Sequence, residues 1–235
     1  MARTNAFGQP IGVEVAEWTE RPRPSRTPME GRYCRLEPID ADRHAAALFD
    51  AWSEAPDDRD WTYLFADRPA DAAACLAYVR KCAESNDPLH FAIVDFATGS
   101  AVGSAALMRI EPAHGVIEVG GITYSPRLQK TRAGTEAMYL LMRRAFDELG
   151  YRRYEWKCDA LNAPSRAAAD RYGFQYEGTF RQVVVYKGRS RDTAWYSILD
   201  REWPSIRAAF ESWLAPDNFD ATGRQRRSLA EIRRS

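Results

Sequence analysis

The sequence predicts an α/β fold of the mixed (α+β) kind: one twisted sheet with helices on its faces. Strand-like runs alternate with amphipathic helical runs through the middle of the chain, and two pairs of strands are joined by turn chemistry that reads as hairpins. No internal repeat competes with that layout.

Residues 1–30 are rich in Pro, Arg and Glu, with Pro22, Pro24 and Pro28 before Gly31, and read as an extended arm in which Val13, Val15 and Trp18 are free to pack. Tyr33–Glu37 alternates like a strand. Asp40 or Asp42 can start a helix carrying Ala46, Leu48, Phe49 and Trp52, and a second begins near Pro69 with Cys75, Leu76, Val79 and Cys82 on its body. Leu89–Phe96 and Ala101–Ile110 form a hairpin around Thr98-Gly99. Val116–Tyr124 is the next strand, with Gly120-Gly121 placed where a bulge costs little. A long helix follows, its Met138, Leu141, Met142, Ala145, Phe146 and Leu149 recurring at three- and four-residue spacing, with Gly150 at the expected left-handed C-terminal position.

Tyr154–Cys158 is then a strand. Asn162-Ala163-Pro164-Ser165 opens a helix with Asn162 as its cap, and Val183–Tyr186 pairs with Thr193–Leu199 through Gly188. Trp203, Ile206, Phe210, Trp213 and Leu214 mark a short helix. The rest is arginine-rich and reads as a loose tail, with Leu229 and Ile232 as anchors of a last turn. The expected division is an arm at 1–30, one domain at 31–200, and a C-terminal helix with a basic tail at 201–235.

Composition narrows the function classes. With 235 residues, 45% of them hydrophobic, the chain can bury one sizeable core. Its formal net charge is zero, so no global field recruits nucleic acid or an anionic membrane. No apolar run approaches the roughly 20 residues of a membrane span. The N-terminus lacks an apolar signal core, which gives a cytoplasmic reading. Cys34, Cys75, Cys82 and Cys158 are scattered and read as buried free thiols, and His44, His90 and His114 are isolated; no metal signature appears.

The most informative stretch is Leu128–Ala137, which follows a strand closed by Pro126 and opens the long helix. The first N–H groups of a helix lack internal partners and attract an anion. Gly134 and Ala133 keep that turn bare, while Lys130 or Arg132 can add a charge-assisted contact. Gln129-x-x-Arg132-x-Gly134, Glu136-Ala137, Asn162-x-x-Ser165, and Gly173-Phe174 with Glu177-Gly178 together resemble the GNAT N-acetyltransferase superfamily. The likeness is strongest to its RimJ/RimL-like branch and runs from about Gly31 to Leu199.

That resemblance implies a central sheet that splays between its fourth and fifth strands to seat acetyl-CoA as co-substrate, with no metal. It implies transfer to a primary amine by direct attack in a ternary complex. Glu118 is the expected base, with a solvated carboxylate or structural ion pair as the alternative. A backbone N–H in Gly121–Tyr124 is expected to meet the acetyl carbonyl, which makes Ile122 and Tyr124 cofactor contacts. Gln129, Lys130, Arg132, Ala133, Gly134 and Thr135 are expected to hold the diphosphate, although Arg132 stands where the family pattern has its first glycine. Asn162 is expected on the pantetheine arm. The tyrosine that many members carry four positions before the Gly-Phe motif is Ala169 here, so Ser165 becomes the expected proton donor to sulfur. Trp61 and Tyr63, in the acidic segment Asp57–Phe65, are the expected acceptor contacts. The acceptor is a small-molecule amine or a peptide or protein N-terminal amine, with no nucleic acid or membrane partner and a monomer or homodimer. The competing class is a catalytically impaired CoA-binding or protein-interaction module on the same fold.

Overall fold

A computed structural model of the chain describes residues 3–234. An exposed two-stranded ribbon pairs β1 (Arg3–Thr4) with β2 (Pro10–Ile11). The main sheet contains β3 (Met29–Glu30), β4 (Cys34–Pro38), β5 (Leu89–Asp95), β6 (Ser100–Glu111), β7 (Val116–Tyr124), β8 (Arg153–Asp159), β9 (Gln175–Tyr186) and β10 (Arg189–Leu199). They lie in the order β3-β4-β5-β6-β7-β8-β10-β9. β7 and β8 run parallel, and every other neighbouring pair is antiparallel.

Helices cover both faces. α1 (Ala41–Ser53) and α2 (Ala72–Glu84) start at Asp40 and Asp71, whose carboxylates accept from the N–H groups of Arg43 and Ala74. They pack Leu48, Trp52, Cys75 and Val79 on one face, against Ala92, Val94 and Ala101. On the other face lie α3 (Arg132–Arg143), α4 (Ala163–Tyr172), α5 (Trp203–Leu214) and α6 (Leu229–Arg234). They share a core with Phe91, Ile93, Ile117, Val119, Tyr154 and Trp156. The two clusters take alternate residues of β5, as strand pleating requires. α3 ends in a wider π turn, Arg144–Glu148, before Gly150 at φ +69°.

The terminal segments are more tightly held than the sequence suggests. Trp203 stacks on Phe146 and Tyr139, and Phe210 on Tyr139 and Tyr172. Full burial of one large apolar side chain is worth about 1.5–3 kcal/mol, so α5 is part of the core. The expected loose tail is also docked. The buried Asn218 donates to the carbonyls of Trp213 and Arg227, and Arg233 donates to those of Asp170 and Arg171. In the arm, Trp18 donates to the carbonyl of Ala113, and its ring closes on Gly115, where a Cβ would lie 2.5 Å away. These anchors are long-range in sequence, which hid them from local pattern. β9 and β10 also extend well beyond the short hairpin expected.

Candidate active site

β7 and β8 pair only over Val116–Val119 and Arg153–Trp156. Past those residues β7 bulges: Ala106 of β6 opposes Gly120, and Ser104 already opposes Thr123. The extra residue bends β7 toward β6 and away from β8, which stays bonded to β10 as far as Asp159. The sheet opens there. Two carbonyls beside the opening are taken by side chains, Thr123 O by Trp52 Nε1 and Tyr124 O by Gln129 Nε2, both at 3.0 Å. Gly121 is at φ +56°, and a Cβ on it would meet the His90 ring at 3.2 Å.

α3 begins at the edge of this opening. Thr131 caps it by accepting from the Gly134 N–H at 3.0 Å. The N–H groups of Gln129 and Thr135 go to the carbonyls of Ser125 and Thr131, and that of Thr131 to Leu128. The expected grip over 129–135 therefore narrows to the donors of Lys130, Arg132 and Ala133, for which no partner occurs among the described residues. Lys130 has φ +60°, which turns the chain sharply into the helix. Gly134 plays a different part from the one expected. Its missing Cβ faces inward, where it would stand 2.6 Å from the Leu128 carbonyl oxygen and 3.2 Å from the Tyr124 ring. The glycine lets helix and loop close on each other, and Tyr124 OH locks that contact by donating to Gly134 O at 2.9 Å. The Arg132 guanidinium lies between the rings of Tyr33 and Phe219, 4.9 and 4.7 Å from their centroids.

Glu118 sits on the sheet face opposite Val119 and Trp156, and is only 5% exposed. Lys157 Nζ is 2.9 Å from its Oε2 and 2.6 Å from Glu155 Oε2, and lies 3.8 Å over the Trp195 ring. The approach to Glu118 is an ionic contact off the hydrogen-bonding direction, since Oε2 has no well-aligned donor. Arg109 stands further off at 3.4 Å. Burial pushes the Glu118 carboxyl above its ordinary value, and Lys157 and Arg109 pull against that without cancelling it. The charges continue across the face: Arg153 bridges Glu155 and Glu177, and Ser197 donates to Glu177.

Ser165 lies on the other face. Its Oγ accepts from Trp156 Nε1 at 3.0 Å, directly above the last paired residue of β8. The neighbouring Cys158 thiol is raised by burial, partly offset by a hydrogen bond with Ser165. Asn162 caps α4 through Oδ1, which accepts from the Ser165 N–H at 3.1 Å. Ala169 is fully buried, and Tyr172 stacks on Phe210 in the core.

The segment expected to receive the acceptor divides. Trp61 is 4% exposed and closed into edge-to-face contacts with Trp52 and Tyr78, so its ring belongs to the α1–α2 core instead of a cleft wall. Tyr63 is half-buried and donates to the carbonyl of Leu161 at 3.3 Å, linking this segment to the β8–α4 connection. The acidic run is neutralised locally: Asp57 pairs with Arg59, Asp58 with Arg68, and Asp60 accepts from Gln129. Lys187 and Arg189, at the tip of the β9–β10 hairpin, donate to the carbonyls of Trp61, Ala66 and Thr62 and hold the segment down.

Two residues were not singled out from sequence. Lys157 was readable: if Tyr154, Trp156 and Cys158 face the core, Glu155 and Lys157 must face the other way, beside Glu118. His90 had no local signal, because what it packs against is the distant Gly121. Among the described residues no His, Cys, Asp and Glu group could hold a metal, and no helix is long and apolar enough to cross a membrane. The four cysteines are buried free thiols.

Comparison with known proteins agrees with this geometry. The family model for an acetyltransferase (GNAT) domain matches residues 34–175. A GCN5-related N-acetyltransferase from Brucella melitensis is 50% identical and superposes with a TM-score of 0.92, over 94% of this chain and 100% of that one. A provisionally assigned GNAT-family acetyltransferase from Chromobacterium violaceum is 39% identical, with a TM-score of 0.77 over 83% and 98% of the two chains. YdaF of Bacillus subtilis, provisionally named a ribosomal N-acetyltransferase, is 30% identical over 45% of this chain. That match spans 57% of YdaF's own length. With its splayed parallel pair, a helix start whose first N–H groups lack partners among the described residues, and a matching domain model, the chain belongs to the GNAT acetyltransferase family, in the RimJ/RimL-like branch.

Proposed function

We propose that the chain transfers an acetyl group from acetyl-CoA to a primary amine by direct attack, without an acyl-enzyme. The observation that carries this is the opening between β7 and β8, with the free N–H groups of Lys130, Arg132 and Ala133 at its rim. Those donors suit a diphosphate, and the gap suits an extended pantetheine arm. Acetyl-CoA supplies an activated thioester.

The chain's own groups divide between the two faces of the sheet. Glu118 stands on one, where it can take a proton from the incoming ammonium so that the nitrogen lone pair is free. Ser165 stands on the other, with its oxygen fixed by Trp156 and its hydroxyl able to give a proton to the departing sulfur. Backbone N–H groups at the bulge, around Ile122, are placed to stabilise charge on the carbonyl oxygen. Lys157 keeps Glu118 oriented. Tyr63 borders the amine's approach; Trp61 is left out of that wall by its burial. The acceptor is a small-molecule amine or a peptide N-terminal amine.

Calorimetry with acetyl-CoA, followed by turnover against a mixed library of small amines and peptide N-termini with mass identification of the product, tests this. Binding and acetylated product are expected. No binding overturns the reading, while binding without turnover favours an impaired CoA-binding module, a reading that the buried Ala169 in the tyrosine position would support.

A further inference from the structure

We infer that the acceptor is a primary amine that also carries a carboxylate, held at its far end by Arg191; this deepens the acetyl-transfer reading above and rests on it. Arg191 is 8% exposed, yet its guanidinium makes a single hydrogen bond among the described residues, from Nε to Thr193 Oγ1 at 3.0 Å. The acids of this corner are engaged elsewhere: Asp159 accepts from Tyr186 OH and the Leu161 N–H, Asp192 from the Gln182 N–H, and Asp67 pairs with Lys187. The two terminal nitrogens of Arg191 are neither bonded nor sealed, so the fork keeps an open edge. A buried charge without a counter-ion costs stability, and an arrangement kept at that cost fits a partner supplied by a ligand.

The side chain stands beside the segment that borders the amine's approach. Its Cζ lies 5.5 Å from the Phe65 ring centroid and 5.7 Å from that of Tyr186, and those two rings are 5.5 Å apart. Phe65 is two residues from Tyr63, in the stretch that Lys187 pins through the carbonyls of Trp61 and Ala66. The sheet places Arg191 on the side of Glu118. Ala194, Tyr196 and Ile198 of β10 enter the core shared with Trp156, so Thr193 and Trp195 face the other way, as Glu118 and Lys157 do. Trp195 pairs with Lys157, and Thr193 with Asp159, a two-residue step of about 7 Å toward the C-terminal end of β8.

The unmatched groups change character along that path. At one end Glu118 Oε2 has no well-aligned donor, and further along Trp195 Nε1 is buried without an acceptor. The indole N–H and the Arg191 fork can only donate. An ammonium suits the first end and a carboxylate the second, because two carboxylate oxygens match the edge of a guanidinium. A step of about 7 Å is too long for an α-amino acid and suits a dipeptide or an ω-amino acid. This favours a small acceptor over a protein N-terminus.

Acetylation of β-alanine, 6-aminohexanoate and glycylglycine by the full chain, each beside its carboxamide, tests the assignment, with acetyl-CoA binding followed by calorimetry. Wild type is expected to use the two longer acids with a KM about tenfold or more below that of their amides, as for one charge-assisted contact made equally before and during transfer. Arg191→Gln should raise the KM for those acids to the level of the amides while acetyl-CoA affinity is kept. Should that variant fail to fold, the acid-to-amide ratio in the wild type decides. Equal KM for acids and amides in the wild type, a preference that survives Arg191→Gln, or acetyl-CoA binding without acetylation of any acid overturns the assignment. Absence of acetyl-CoA binding to the wild-type chain overturns the acetyl-transfer reading itself.

Discussion

Glu118 of β7 pairs across the parallel ladder with Glu155, and Lys157, one residue past the last rung of β8, brings Nζ to 2.9 Å from Glu118 Oε2. The ammonium favours the charged carboxylate, and burial opposes it. Replacing Lys157 by Met removes the pull and leaves the burial, so the Glu118 carboxyl must rise further. If activity needs the carboxylate, the acidic limb of the kcat/KM profile moves to higher pH. A shift of about one unit corresponds to roughly 1.4 kcal/mol of lost interaction. A profile that does not move, or moves to lower pH, removes Lys157 from this role.

Glu118→Gln keeps the shape and removes the carboxylate proposed as the base. Turnover should fall by about 10²-fold or more, the usual scale for general base catalysis, with acetyl-CoA affinity nearly intact because the donors proposed for the diphosphate lie at the start of α3. Equal losses in both would show that the residue is structural.

Gly134→Val tests the helix start. Its Cβ would stand 2.6 Å from the Leu128 carbonyl, and backbone cannot yield cheaply. A cost of about 1–3 kcal/mol in urea unfolding is expected, with a larger loss of acetyl-CoA affinity because the loop is displaced. Wild-type stability in this variant would contradict the close approach.

The order of strands and helices could be read from local periodicity and caps, since Asp40, Asn162 and Gly150 announce their elements in neighbouring residues. The opening between β7 and β8 could not. It depends on a one-residue register shift against β6, and Gly120-Gly121 signals only that a bulge is cheap. The site divides in the same way. Glu118 and Ser165 are proposed from the family resemblance, whereas the burial of Trp61 is set by Trp52 and Tyr78 from two different helices. Lys157 follows from the same alternation, since residues 155 and 157 must share the β8 face opposite Tyr154, Trp156 and Cys158.

Glu136 and Gly31 make a second test of what supports the loop. Buried Glu136 accepts from the N–H groups of Arg32, Tyr33 and Cys34 at 2.6–2.9 Å, tying the β3–β4 turn to α3. A Cβ on Gly31 would meet that carboxylate at 2.4 Å. Glu136→Ala should cost on the order of 3 kcal/mol in urea denaturation, since hydrogen bonds to a charged group are stronger than neutral ones. A loss below about 1 kcal/mol would mean that the turn holds itself.

His90 gives a pH dependence with a definite sign. Burial, then the nearby Arg26, lowers its imidazole to about 4 from an ordinary 6.5. Nδ1 is buried without a partner, and the ring packs under Gly121 at the bulge. The folded chain therefore binds this proton less readily than the unfolded chain. The contribution to stability is complete above 6.5 and is lost as pH falls toward 4. The full difference is about 3.5 kcal/mol at most, from about 1.4 kcal/mol per unit. Other groups titrate in the same window, so the informative quantity is the difference between wild type and His90→Gln. Urea unfolding at pH 7 and pH 4.5 should show a steeper loss in the wild type than in the variant. Parallel losses would mean that the imidazole is solvated at the bulge, and that the Gly121 backbone beside the opening is held by β6 alone.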